Sequence, residues 1–159
     1  MLHKRSFTRA AAMLAIASTA IVPAAALASP PTGPAIGSEI FVTGTLEGDV
    51  QLNSDRVKFQ TKEDTLVRVQ KLTFPAGSAT GWHHHPGVVF VTVASGTLNL
   101  AHSDCSSHNY GPGDAFTEGE ARVHNASSPG GAVAYVTYVS SSIDPPVFRI
   151  EDPVPLCAQ

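Results

Sequence analysis

Charge is scarce in this sequence: Lys, Arg, Asp and Glu together make up 14% of its 159 residues, while 43% are hydrophobic. Disordered chains and coiled coils are built from a different composition, so neither describes it. Basic tracts are missing beyond the N-terminus, which excludes nucleic acid and anionic membrane surfaces as expected partners. Long apolar runs are missing too, apart from one at the extreme N-terminus, so the rest of the chain offers no helix to a bilayer. No stretch after that run shows a helical period. Cysteine is rare, with two in the chain, which leaves room for one disulfide.

The N-terminal run has the anatomy of a secretory signal peptide. His3, Lys4, Arg5 and Arg9 form a basic head, Ala10 to Ala26 an apolar middle, and Ala26-Leu27-Ala28 a small-residue cleavage site. Cleavage is expected after Ala28, making 1–28 the signal peptide and the mature protein secreted or periplasmic. A retained membrane anchor is the alternative, and the alanine-rich segment with Pro23 disfavours it. Lys4-Arg5-Ser6-Phe7 resembles a twin-arginine signal with Lys for the first Arg, but ordinary unfolded export is the preferred reading. Removing residues 1–28 takes three basic residues and no acidic one, leaving 7 Lys+Arg against 13 Asp+Glu and a net charge of −6.

Residues 29–37, with Pro30, Pro31 and Pro34, read as an extended arm whose prolines cannot donate to a ladder. Residues 38–150 read as one domain, and 151–159 as a tail. In an exported chain, Cys105 and Cys157 are most simply paired as a disulfide that ties this tail to the body. The competing reading makes His102, Cys105 and His108 a soft-metal cluster. Short runs rich in Val, Thr, Phe and Tyr, punctuated by Gly, Pro, Asn, Asp and Ser, predict strands over 39–46, 56–60, 65–74, 88–94, 96–102, 114–118, 132–140 and 147–150. Val88 to Val93 and Ala132 to Val139 are apolar on both alternating faces, so both strands are expected to be covered on two sides. The class is all-β, as a sandwich, jelly roll or barrel.

Trp82-His83-His84-His85-Pro86 carries the chemistry. In an extended chain His83 and His85 share one face and His84 takes the other, so the outer pair can converge on one ion. Two ligands make a weak site, and a third must come from elsewhere.

Gly77-x5-His83-x-His85-x3-Val89-x6-Gly96 resembles the first cupin motif, with Val89 where that motif has glutamate. Gly113-x5-Gly119-x-Ala121-x2-His124-x3-Ser128 is similar in spacing to the second motif, three of whose five positions differ here. The turn Tyr110-Gly111-Pro112-Gly113-Asp114 also looks like the opening of the second cupin half. The resemblance runs from about Val67 to Val139. It implies a jelly-roll, or double-stranded β-helix, barrel in which His83, His85 and His124 bind one divalent transition metal. Iron(II) and zinc lead, with manganese, copper and nickel as further candidates.

Three neutral imidazoles would leave the ion its full +2 charge and so favour anionic ligands. Continuing the inward parity gives an apolar wall of Val89, Val91 and Val93, suited to a small organic molecule with an anionic or chelating end. Resemblance to three-histidine cupin dioxygenases implies an iron(II) oxygenase, whereas zinc on the same ligands would activate water. The alternatives are a non-catalytic barrel that binds a small ligand, and a structural module, since cupins often pair as homodimers. Glu118, Glu120, Tyr135 and Tyr138 are given no site role, being read as solvated edge charges and packed aromatics. His84, His102 and His108 are read as surface residues, the last two in a loop between the halves.

Overall fold

The computed structural model describes residues 28–119, 121–141 and 146–159; the expected signal peptide, apart from Ala28, and Glu120 lie outside the described residues. The strands are β1 (Gly37–Leu46), β2 (Gln51–Ser54), β3 (Val57–Gln60), β4 (Thr65–Phe74), β5 (Ser78–Ala79), β6 (His83–His84), β7 (Val88–Gly96), β8 (Leu98–His102), β9 (Ser107–Tyr110), β10 (Ala115–Glu118), β11 (His124–Ser128), β12 (Ala132–Ser141) and β13 (Ile150–Glu151). One 3-10 turn, Leu156–Ala158, follows. The strands form a five-stranded sheet in the order β1-β4-β12-β7-β10 and a six-stranded sheet in the order β13-β6-β11-β8-β9, with β5 added on β11. β2 and β3 make a separate hairpin, turned by Asp55 and Arg56, both at positive φ as a type I′ turn requires. The result is a cupin-type jelly-roll barrel of antiparallel sheets.

Period-two alternation decides which side chains fill the barrel. In β7, Val89, Val91 and Val93 are buried, while Val88 and Phe90 between them are exposed. In β12, Ala132, Ala134 and Val136 face in and Tyr135 faces out. Leu98 and Leu100 from β8 and Ala126 from β11 close the same core from the opposite sheet. The expectation that β7 and β12 are covered on two sides is thus corrected. The barrel has one core, inside it, and Phe90 and Tyr135 stand 43% and 45% exposed on the outer face. Phe41 of β1 lies beside Tyr135 there, with 6.1 Å between ring centroids.

Other differences from the sequence reading have local causes. β11 has the composition of a turn, His-Asn-Ala-Ser-Ser, yet it is a strand. Pairing with β8 and two hydrogen bonds between Thr80 and Ala126 supply what propensity does not. His108 stands in β9 and His102 at the end of β8, not in a loop. Arg56 belongs to the hairpin turn, and of 147–150 only Ile150 is extended and paired. Gly96, the last glycine of the first motif, has φ +74°, and a Cβ there would fall 2.0 Å from the carbonyl oxygen of Gly131. Only glycine fits that corner.

The N-terminal arm crosses the body through paired backbone bonds of Thr32 with Ala79 and a bond from Ser29 N to the Asp152 carbonyl. Cys105 and Cys157 form a disulfide across 52 residues, with Cα atoms 6.0 Å apart. This removes Cys105 from any soft-metal cluster with His102 and His108. Closing a loop of that length stabilises the fold by about 4 kcal/mol in the chain-entropy model. Reduction, or Cys157→Ser, is expected to lower unfolding stability by up to this amount in urea titration; an unchanged midpoint would show that the tail is held by its other contacts alone.

Candidate metal centre

The β6 and β11 strands pair antiparallel with His124 opposite His83, and this register brings the two histidine motifs together. His83 and His85 share one face by alternation, and both are buried, as is His124 at 1% exposure. His84 turns the other way and meets Asp152 at 2.6 Å. One ligand nitrogen from each of His83, His85 and His124 lies within 4.8 Å of the others. The structure therefore assembles the three histidines that the motif spacing singled out, and leaves His84, His102 and His108 outside the group.

Each of the three rings is fixed by a backbone carbonyl. His83 Nδ1 is 2.9 Å from Gly81 O, His85 Nδ1 is 2.5 Å from Phe148 O, and His124 Nδ1 is 2.8 Å from Arg122 O. A carbonyl can only accept, so each Nδ1 carries the proton, and in its neutral form each ring offers its Nε2 lone pair to the centre. That is the arrangement by which a metal-ligating histidine is oriented from behind. His124 Nε2 is buried and makes no hydrogen bond among the described residues, the Glu118 carboxylate standing 3.5 Å from it, so its lone pair is available to an ion. Three convergent, neutral imidazoles fit iron(II), zinc and other borderline divalent ions.

Sequence reasoning missed Glu118. It is 8% exposed rather than a solvated edge charge, with Oε2 3.3 Å from His85 Nε2 and Oε1 3.5 Å from His124 Nε2. The available signal was alternation: in β10, Phe116 and Glu118 point the same way, and Glu118 pairs directly with inward-facing Val89. Tyr138, read as a packed aromatic, is half-buried against the core beside His85, at 5.5 Å between centroids, whereas Tyr135 is on the outer face.

Electrostatics follow from this crowding. Burial, reinforced by the charges of His124 and Arg149, lowers His83 to about 3, so it stays neutral throughout the physiological range. Burial pulls His124 down as well, but the Glu118 carboxylate 3.5 Å from its Nε2 outweighs it and the net direction is up. Burial alone would raise Glu118; contacts with His124 and His85 hold it well below the usual carboxylate range. Burial, then the charge of Glu118, pushes the Tyr138 hydroxyl up to about 12.

Two cavities flank the histidines. A narrow inner one of about 60 Å³ is walled by Val91, Leu98, Val136 and other apolar side chains, with His83, His85, Tyr138 and Arg149 at its polar end. A wider outer cleft of about 620 Å³ is bordered by His102, Tyr110, Arg122 and His124. Phe116 and Glu118 line both. In ¹⁵N spectra of the metal-free protein, His83 and His85 are expected as the Nδ1–H tautomer; an Nε2–H signal for His83 would contradict the carbonyl-anchored geometry.

The cupin domain family model matches residues 70–140. Among solved structures, the salicylate 1,2-dioxygenase of Pseudoaminobacter salicylatoxidans is similar at 14% identity and TM-score 0.43, over 45% of this chain and 19% of that one. A DMSP lyase of Ruegeria pomeroyi is 19% identical with TM-score 0.46, over 52% and 42% of the two chains. An RmlC-like cupin from Shewanella frigidimarina is 19% identical with TM-score 0.44, over 51% and 78%. The chain thus spans about a fifth of the length of the salicylate dioxygenase that it matches. No curated protein sequence matches it. With the family match, the jelly-roll barrel and both histidine motifs brought to one point, residues 70–140 are identified as a cupin domain.

Proposed function

We propose that this protein is an exported metal-binding cupin that holds one divalent transition ion on His83, His85 and His124 and acts as a dioxygenase on a small organic substrate. The observation that carries the reading is the convergence of three buried imidazoles whose Nδ1 protons are already committed to carbonyls. Iron(II) is the leading ion for this activity, and zinc is the rival that the same nitrogens accept. When bound, iron(II) would supply the redox partner that dioxygen needs to react with an organic molecule.

The chain's own residues divide the remaining work. The inner cavity, at about 60 Å³, is less than half of a space that holds benzene, so it suits a diatomic gas and excludes an organic ring. The outer cleft has the volume of an ordinary small-ligand site and reaches His124 and Glu118. Arg122 stands at its edge, its guanidinium shared with Asp104 at 2.8 Å. His102 Nδ1, buried and without a partner among the described residues, offers a further polar contact there. Tyr138 keeps its proton at neutral pH and serves as a hydrogen-bond donor towards the inner cavity.

Export rests on the signal peptide at 1–28, followed by the arm at 29–37, the cupin domain at 38–150 and the tail at 151–159. The Cys105–Cys157 disulfide supports a secreted or periplasmic location, since such bonds persist in oxidising compartments. No helix among the described residues is long and apolar enough to cross a membrane. A homodimer formed through edge strand β1 is also proposed, supported by the exposure of Ile40, Phe41 and Val42. Sedimentation at micromolar concentration is expected to show the dimer and to show a monomer after Phe41→Glu; a monomeric parent protein overturns it.

Elemental analysis of untagged protein recovered from its export compartment tests the main reading. About one iron per chain, with dioxygen uptake on substrate screening, is the expected result. His124→Ala should weaken ion retention beyond the roughly 10–100-fold typical of losing a partner behind a ligand, while His84→Ala should keep the ion. Stoichiometric zinc without oxygen uptake replaces the oxygenase by hydrolytic or ligand-binding chemistry. Protein that neither contains nor takes up an ion leaves a non-catalytic ligand-binding or structural barrel.

A further inference from the structure

We infer that Glu118 is a fourth metal ligand, supplied by strand β10 in place of the carboxylate that position 89 lacks. The inference rests on the three-histidine reading above and deepens it. Val89 and Glu118 are directly paired across β7 and β10, and directly opposed residues of an antiparallel pair present their side chains to the same face with Cβ atoms about 5 Å apart. Val89 is 1% exposed and points inward, so the longer side chain opposite it enters the same space from the adjacent strand.

The distances carry the argument further. At 3.3 Å and 3.5 Å from His85 Nε2 and His124 Nε2, the two Glu118 oxygens are longer than good N–H···O bonds. Donors at about 2.1 Å from a common ion lie about 3.0 Å apart when at right angles and about 3.4 Å apart in a tetrahedron. The spacings are those of neighbouring corners of one coordination shell. No Lys or Arg pairs with Glu118 among the described residues; its ion-pair contacts are His85 and His124. A buried carboxylate needs a positive charge nearby, and three imidazoles that point their lone pairs inward do not provide one. A divalent ion does, and the formal charge of the centre then falls from +2 to +1.

The consequence separates this chain from the plain three-histidine site that its motif spacing implies. The ion would be held more tightly and would attract anions less. Because Glu118 lines both cavities, its carboxylate also stands at the boundary between the inner pocket and the outer cleft.

Binding of zinc and cobalt(II) to untagged protein, by chelator competition and by the visible spectrum of the cobalt form, tests the assignment on the parent, E118Q, E118A and the double variant V89E/E118A. The expected result is one ion per chain in the parent, at least about tenfold weaker binding with an altered cobalt spectrum in E118Q, and recovered affinity in the double variant, where the carboxylate returns from the opposite strand. Parent-like affinity and an unchanged cobalt spectrum in E118Q overturn Glu118 as a ligand and leave the three-histidine site standing. A parent protein that binds neither ion removes both. Should E118Q not fold, infrared difference spectra of the parent with and without zinc decide: a shift of the buried carboxylate stretch is expected, and its absence overturns the assignment.

Discussion

The antiparallel register of β6 against β11 sets His124 opposite His83, and the centre depends on it. Side chains alternate along a strand, so a slip of one residue would send His124 out of the barrel and bring Asn125 in. The same alternation, applied along β7 and β10, places Val89 and Glu118 beside the histidines instead of Phe90 and Thr117. Register is held here by more than the short strands. Thr80, whose hydroxyl accepts from Ala126 N and whose own N–H reaches the Ala126 carbonyl, clamps β11 to the segment leading into β6.

Around this register the backbone acts as the outer shell of the site. Gly81, Arg122 and Phe148 each give a carbonyl to one histidine. Phe148 comes from the C-terminal segment, which is held to the body by His84–Asp152, by the bond from Asp152 N to Trp82 O, and by the disulfide at Cys157. The segment at Phe148, just before the tail, thereby fixes the ring orientation of His85. Arg149, on the same segment, donates to Thr80 O and forks onto Glu151, which keeps its guanidinium at the edge of the inner cavity.

The balance of charge explains why so apolar an interior tolerates a carboxylate. Burying an ionised Glu without compensation is costly, and Glu118 is compensated by groups that become cationic or bind a cation. Burial dominates His83 and keeps it from charging, while His124 gains from Glu118. His83 and His124 are therefore electrostatically unequal, although the motif resemblance treats them alike.

Strand alternation and motif spacing made much of the barrel readable in the chain. β4, β7 and β12 are long and rich in Val, Thr and Tyr, and their apolar inner rows identify the core. The histidines were readable because glycines and histidines recur at fixed separations. β5, β6 and β11 were not, since their short polar segments have no intrinsic preference for extension and become strands through their neighbours. Glu118 was hidden for a related reason. A glutamate near a Gly-rich turn resembles any solvated edge charge until the strand facing it is known. By itself, then, the sequence determined the all-β class, the inward row Val89, Val91 and Val93, and the pairing of His83 with His85 on one face, because these follow from local periodicity, while the resemblance to the cupin motifs added His124. Only the tertiary structure decided that a carboxylate lies beside them, that the outer sheet face is open, and that the Phe148 carbonyl orients His85, because those depend on pairings between residues far apart in the chain.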